Sequence, residues 1–206
     1  MPKIIAPSFN FIGNHPILDF INTKIVHNGK PYDLLESFAD ILDWLNQANM
    51  LGQEEVDHNV PGWSDMDERL HVVHEARILR SSLLTLVQNG LNQEEAHGEC
   101  IEIVNSFLKD RIITKKIIKT DKGFGTLQHI TMQRPLDIIA PIAETAVDFL
   151  CHYNLSLVKK CENPECVLYF YDNSKNSTRR WCSQKTCGNR MKVTAYLERQ
   201  RNKGSL

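Results

Sequence analysis

The chain has 206 residues, 24% charged and 42% hydrophobic. That is the makeup of an ordinary soluble protein of one or two domains, and no apolar run approaches the length needed to span a bilayer. The formal net charge of −1 conceals a partition: residues 155–206 carry eleven basic against four acidic side chains, about +7, leaving about −8 on residues 1–154. The opening MPKIIAPSFNFIGNHPIL lacks a charged segment followed by an apolar core and a cleavage site, so a cytoplasmic address with reduced thiols is expected.

In chain order, Gly13-Asn14-His15-Pro16 reads first as a turn. Ser37-Phe-Ala-Asp40 has the form of a capping box, followed at helical spacing by Phe38, Ile41, Leu42 and Leu45, with an end near Leu51-Gly52. A second helix is predicted from Ser64-Asp-Met-Asp67 to Asn89-Gly90, its stripe including Leu70, Val73, Ile78, Leu83 and Leu84. A third is predicted from Asn92-Gln-Glu-Glu95, with Ile101, Val104, Phe107 and Leu108 on one face. Ile112–Lys119 and Thr126–Met132 are β-rich, and Asp121-Lys-Gly-Phe-Gly125 between them suggests a hairpin with a glycine-containing loop. Pro135 to His152 is helical again, with a kink or fresh start at Pro141. Composition shifts around Tyr153–Lys160, which divides the chain into a helical domain over 1–154 and a basic module over 155–206.

The module carries two Cys-x4-Cys pairs, Cys161/Cys166 and Cys182/Cys187. Zinc prefers four thiolate or imidazole ligands in a tetrahedron, and cysteine pairs on tight turns supply two adjacent corners each. Disulfides or unrelated thiols are the alternatives, and a reducing compartment disfavours the first. Val167–Asp172 has strand composition, Asn173–Ser177 is turn-rich, and Thr178–Trp181 returns as a second strand; Ser183 is placed to cap a helix containing Met191, Ala195 and Leu197. Cysteine turn, hairpin, then cysteine pair at a helix start is a treble-clef-like order. The expected fold is mainly α: a helical N-terminal domain with a small β-hairpin, followed by a C-terminal treble-clef-like zinc module.

Phe170-Tyr-Asp-Asn-Ser-Lys-Asn-Ser-Thr-Arg-Arg-Trp-Cys-Ser183, with Cys187-Gly-Asn-Arg190 and Lys192, resembles the CGNR zinc finger. Leu18-Asp-Phe-Ile-Asn-Thr23 resembles the opening of the ABATE domain, which accompanies that finger in bacterial proteins described as stress-induced transcription regulators. The resemblance implies zinc ligation by Cys161, Cys166, Cys182 and Cys187, and a DNA-binding role. Lys175 stands where an arginine is common, keeping charge without the guanidinium fork, and Val167 where a small residue is frequent.

Arg179 and Arg180, expected on a strand just before the metal, and Lys185 are the candidate phosphate contacts. Arg190, Lys192 and Arg199 lie on the following helix, residues 192 and 199 sharing a face, as candidate base readers. Arg190 has an alternative role, donating to thiolate sulfur. His71, His74 and Glu75 do not form His-Glu-x-x-His and read as a solvated polar face, while Cys100 and Cys151 read as buried, inert thiols. Arg77 and Arg80 suggest surface salt bridges before an internal anion site. No phosphate loop, nucleophile motif or pair of catalytic carboxylates is recognisable, and a non-enzyme is expected. The leading expectation is a zinc-dependent DNA-binding regulator whose acidic body senses a small molecule or forms a homodimer, with no membrane role. The alternative is a zinc-finger adaptor for protein or RNA, small zinc modules serving all these purposes.

Overall fold

The computed structural model describes residues 7–109 and 112–203, so residues 1–6 of the opening segment, read above for a leader, lie outside the described residues. A short helix α1 (Pro16–Ile21) is capped by the His15 ring, which accepts from Ile17 N. Strands β1 (Lys24–His27) and β2 (Lys30–Asp33) form an antiparallel hairpin. Its turn is Asn28-Gly29, both residues at positive φ, as a two-residue hairpin turn requires. Next comes α2 (Phe38–Gln47), whose Ser37–Asp40 capping box forms as the sequence suggests. Then follow α3 (Gln53–Asn59), α4 (Met66–Asn92) and α5 (Gly98–Ser106). The ribbon β3 (Ile112–Thr120) and β4 (Gly123–Thr131) leads to a 3-10 turn at Pro135–Ile139 and α6 (Ala140–His152). Strands β5 (Val158–Lys160) and β6 (Tyr169–Tyr171) and helix α7 (Asn189–Lys203) complete the chain. The architecture is mainly α with small hairpins, and Pro141 marks a fresh helix start.

Several local expectations shift. The cap of α4 is Asp65 and not Ser64: its carboxylate accepts from Asp67 N and Glu68 N. Leu70 is exposed, because the buried stripe of α4 is Val72, Val73, Ala76, Leu79, Leu83, Leu86 and Val87. Asn92–Glu95 does not open a helix. Asn92 ends α4, Gln93 takes the left-handed cap conformation at φ 58°, and α5 begins only at Gly98. The ribbon turns more tightly than the five-residue loop expected, since Thr120 pairs with Gly123 and leaves only Asp121 and Lys122 between strands. Gly123 at φ 119° supplies the conformation that lets the chain reverse there.

α4 is the axis of the core. Phe20 of α1, Trp44 of α2, Ile138 of the 3-10 turn and Phe149 of α6 are buried around it with its own Leu79 and Leu83. Arg80 is not on the surface as expected. It is buried and donates to both carboxylate oxygens of Asp33 and, at 2.8 Å, to Thr23 Oγ1, while Arg77 holds the Leu35 carbonyl. These bonds tie the end of β2 to α4, and a buried arginine so paired is costly to unpair.

The basic module is hydrogen-bonded to the first elements of the chain. β6 pairs with β5 on one edge; its other edge would expose unpaired amides and carbonyls. Residues 13–22 cover that edge. Tyr171 N donates to Gly13 O at 2.7 Å, and Asn14 Nδ2 donates to Tyr171 O at 2.9 Å and to Asn173 Oδ1 at 3.0 Å. Buried Asn22 exchanges two bonds with the Tyr169 backbone, each 2.8 Å. Asn14, on the sequence a turn residue, is thus a link between distant segments. Directional bonds and apolar packing join the two halves here.

Candidate metal centre

Each cysteine pair is presented by a turn. β5 delivers Cys161, whose amide donates to Leu168 O, and Cys166 N donates to Asn163 O across the Glu162–Glu165 turn. Cys187 lies in the single turn Gln184–Gly188, which Ser183 caps through Thr186 N before α7 continues. The four Sγ atoms lie within 4.8 Å of one another. The Cys166–Cys182 and Cys182–Cys187 sulfur separations are 3.7 and 3.6 Å. A tetrahedral zinc with Zn–S of about 2.3 Å requires S–S edges of roughly 3.8 Å. All six cysteines are free thiols, and the donor set fits the metal.

Surrounding groups favour charge on sulfur. Cys182 N donates to Cys161 Sγ at 3.4 Å, and the buried Asn163 amide donates to Cys187 Sγ at 3.3 Å. Crowding sets the thiols against one another. Cys166 is held down to about 5 by the hydrogen bond from Cys182, whose own thiol is pushed up by that bond and by burial. Burial also pushes Cys161 up. Ile25, Leu34, Leu168 and Phe170 pack beside the cysteines, so the β1–β2 hairpin contributes to the wall of this site. A cavity of about 210 Å³ opens on that side, lined by Ile25, Val26, Leu168, Cys166, Cys182 and Cys187.

The hairpin expected between Val167–Asp172 and Thr178–Trp181 does not form. β6 pairs backwards with β5, and Thr178–Trp181 runs as irregular chain, so Arg179 and Arg180 are not on a strand. The reason is Asp172. Its fully buried carboxylate accepts from Lys159 Nζ at 2.6 Å, Ser174 Oγ at 2.6 Å, Ser174 N at 3.1 Å and Arg179 N at 2.9 Å, winding the turn-rich segment around one charge. Burial works against that charge, yet these donors outweigh it and hold the carboxyl at about 2. Neither Asp172, Lys159 nor Asn163 was distinguishable in the sequence as a supporting group.

The candidate cations separate into two sets. Arg179 faces inward: its guanidinium lies 4.1 Å over the Phe170 ring and donates to the carbonyls of Ile12 at 2.8 Å, Trp181 at 3.0 Å and Cys182. A phosphate role for it conflicts with that placement. Arg180 is exposed, stacked 4.9 Å over Trp181 and bonded to Glu162 at 2.6 Å. Arg190, whose alternative role was to donate to sulfur, meets Glu165 at 3.4 Å instead. Lys185, Lys192 and Arg199 are exposed. Elsewhere, His71 is 4.0 Å from Glu75 and His74 is exposed, and no third ligand joins them among the described residues. Cys151 is exposed and Cys100 half-buried, correcting the expectation of two buried thiols.

Asp19 links the site to pH. Burial pushes its carboxyl up to about 6, opposed in part by the Gly13 and Ile12 amides and the Arg179 guanidinium. The folded protein therefore keeps a proton that the unfolded chain releases near pH 4. Between pH 4 and 6 the native state binds more protons, so stability falls as pH rises through that window. Asp19→Asn keeps an acceptor for Gly13 N, 2.7 Å away, without the charge. Relative to wild type it should gain about 2 kcal/mol between pH 4 and 7, each tenfold change in proton affinity being worth roughly 1.4 kcal/mol. Urea unfolding of both proteins from pH 4 to 7 checks this; curves that stay parallel would refute the buried charge.

The fold and the site together define a helical body joined to a four-cysteine, metal-site-like module with a basic terminal helix. Family comparison agrees. Residues 158–200 match the CGNR zinc finger, and residues 14–153 match ABATE, described as "Putative stress-induced transcription regulator". The chain belongs to the ABATE family and carries a CGNR zinc finger. No curated protein matches it.

Proposed function

We propose that this chain is a zinc-loaded, DNA-binding transcription regulator, with residues 155–206 as the DNA-contacting finger and residues 1–154 as the body that governs it. Cys161, Cys166, Cys182 and Cys187 would hold the zinc, which supplies a closed four-thiolate scaffold and no open catalytic position. The observation that carries the reading is α7. It leaves the cysteine turn as a 15-residue helix with Arg190, Lys192 and Arg199 exposed along it. Its inner side is anchored only where Met191 and Ala195 are half-covered. A basic helix rooted at a rigid metal site is a shape that the major groove admits. No helix of the described residues is long and apolar enough to cross a membrane.

The test is a salt titration of the zinc-loaded protein on duplex DNA. Four phosphate contacts drawn from Arg180, Lys185, Arg190, Lys192 and Arg199 would give a log–log slope of roughly −4 at about −0.9 per phosphate. Arg180→Ala with Lys185→Ala should flatten that slope by up to about two and weaken all sequences alike. Lys192→Ala with Arg199→Ala should change sequence preference. A salt-independent signal, or variants that behave as wild type, would refute DNA contact by this helix.

One feature favours the adaptor reading: Val193, Tyr196 and Leu197 are exposed on α7, the residue types a protein partner would cover. Stacking on RNA is less well supported, because Tyr169 is buried and Tyr171 and Trp181 are partly covered.

A further inference from the structure

The β3–β4 ribbon stands apart from the body. Residues 115–124 are all exposed, including Ile117 at 81% and Phe124 at 87%. Nine-residue strands at about 3.3 Å per residue carry the tip roughly 30 Å from its root. Two strands alone are marginally stable in water. The register sets Lys119 opposite Phe124 and Ile117 opposite Thr126. Strand alternation then places Lys115, Ile117, Lys119 and Phe124 on one face, two cations beside two apolar side chains. Lys116 and Lys122 add to this, and Asp121 is the single acid between residues 112 and 131. Within an acidic body, this is a basic, apolar arm.

The complementary surface lies on the helices. A cavity of about 370 Å³ opens between α4, α5 and α6, lined by Leu86, Gly90, Ile101, Val104, Val147 and Leu150 among others. Its lips, Ile101 and Val147, are each 40% exposed. Carboxylates lie along one side of it: Glu94 on its wall, and Glu144 and Asp148 on α6 beside the lip residue Val147. Glu144, Val147, Asp148 and Cys151 are spaced i, i+3, i+4 and i+7, so acid and apolar lip share one face of α6.

We propose that the ribbon of one copy seats in the α4–α5–α6 groove of a second copy, and reciprocally, forming a two-fold arm-exchanged dimer. Phe124 and Ile117 enter the apolar groove, and Lys115 and Lys119 meet the carboxylates along its side. The contact is self-complementary, since each copy carries both halves, and a two-fold axis closes it. This surface is remote in sequence from the finger and does not depend on what the finger binds.

The native thiol of Cys151 lies in this groove and is exposed, which permits a directed cross-link. In the zinc-loaded full-length protein, Phe124→Cys should form a covalent dimer under mild oxidation. Adding Cys151→Ala to that variant should abolish it. Sedimentation equilibrium of the wild type should show a dimer at micromolar concentration. Phe124→Asp, and separately Lys115→Glu with Lys119→Glu, should weaken it at least tenfold without altering the circular dichroism of these exposed-site variants. A wild type that stays monomeric at 100 μM, or a dimer indifferent to these changes, would overturn the proposal. So would ribbon variants that lose affinity for DNA while self-association is unchanged, which would assign the ribbon to nucleic acid.

Discussion

Cys182→Ser is expected to take zinc content from one per chain to less than a tenth, read by atomic emission after dialysis. The Cys182 sulfur is central to the cluster, 3.7 Å from Cys166 and 3.6 Å from Cys187, and its amide supports Cys161. A hydroxyl is a poor zinc ligand near neutral pH, and metal binding is part of the folding free energy of a module this small. The damage should extend beyond the module. Gly13, Asn14 and Asn22 are bonded to β6, and Ile25 and Leu34 pack against the cysteines. Amide exchange should therefore accelerate in α1 and the β1–β2 hairpin as well as over residues 158–203. Protection should persist in α4 and α6, whose buried faces meet one another. Full zinc stoichiometry in this variant would sink the ligand assignment.

Arg179→Ala should destabilise the protein by about 2–3 kcal/mol, the upper part of the range for leaving covered hydrogen-bond acceptors without their donor. Three carbonyl acceptors, of Ile12, Trp181 and Cys182, lose their donor together, and Phe170 loses the cation stacked on it. The thiolate cluster also loses a nearby positive charge: Cys182 and Cys161 both act on this guanidinium. Arg179→Lys should recover little, because an ammonium cannot fork to three carbonyls while lying flat on a ring. Arg180→Ala, one residue on, should stay within about 1 kcal/mol, its pairing with Glu162 being an exposed salt bridge. Urea unfolding of the three zinc-loaded variants provides the comparison. Equal, small losses for both alanine variants would show Arg179 to be one more surface cation.

The two arginines illustrate where sequence reading stops. Adjacent in the chain and identical in type, they look equally fit for a phosphate. Only the fold places Phe170 and the Ile12 carbonyl against one of them, and Ile12 is 167 positions away. Asn28-Gly29 is a different case. This strong local hairpin signal lay in the sequence, yet β1–β2 went unforeseen, its strands of four residues each being too short to show a clear alternation. The α4 cap and the start of α5 shifted by a few residues because several acids and amides compete for each cap, and the backbone selects among them.

What the sequence determined by itself was whatever local spacing dictates. The two Cys-x4-Cys turns, the Ser37–Asp40 cap, the stop before Pro141 and the basic segment after Cys187 each depend on neighbours a few residues apart, where covalent geometry leaves few alternatives. The tertiary structure alone decided the partner of β6, the burial of Arg80 and Asp172, and the seam between Asn22 and Tyr169. Each of those satisfies a buried polar group with one from a distant segment, and the pairing is chosen by which surfaces the helices bring together once α4 has gathered the core around it.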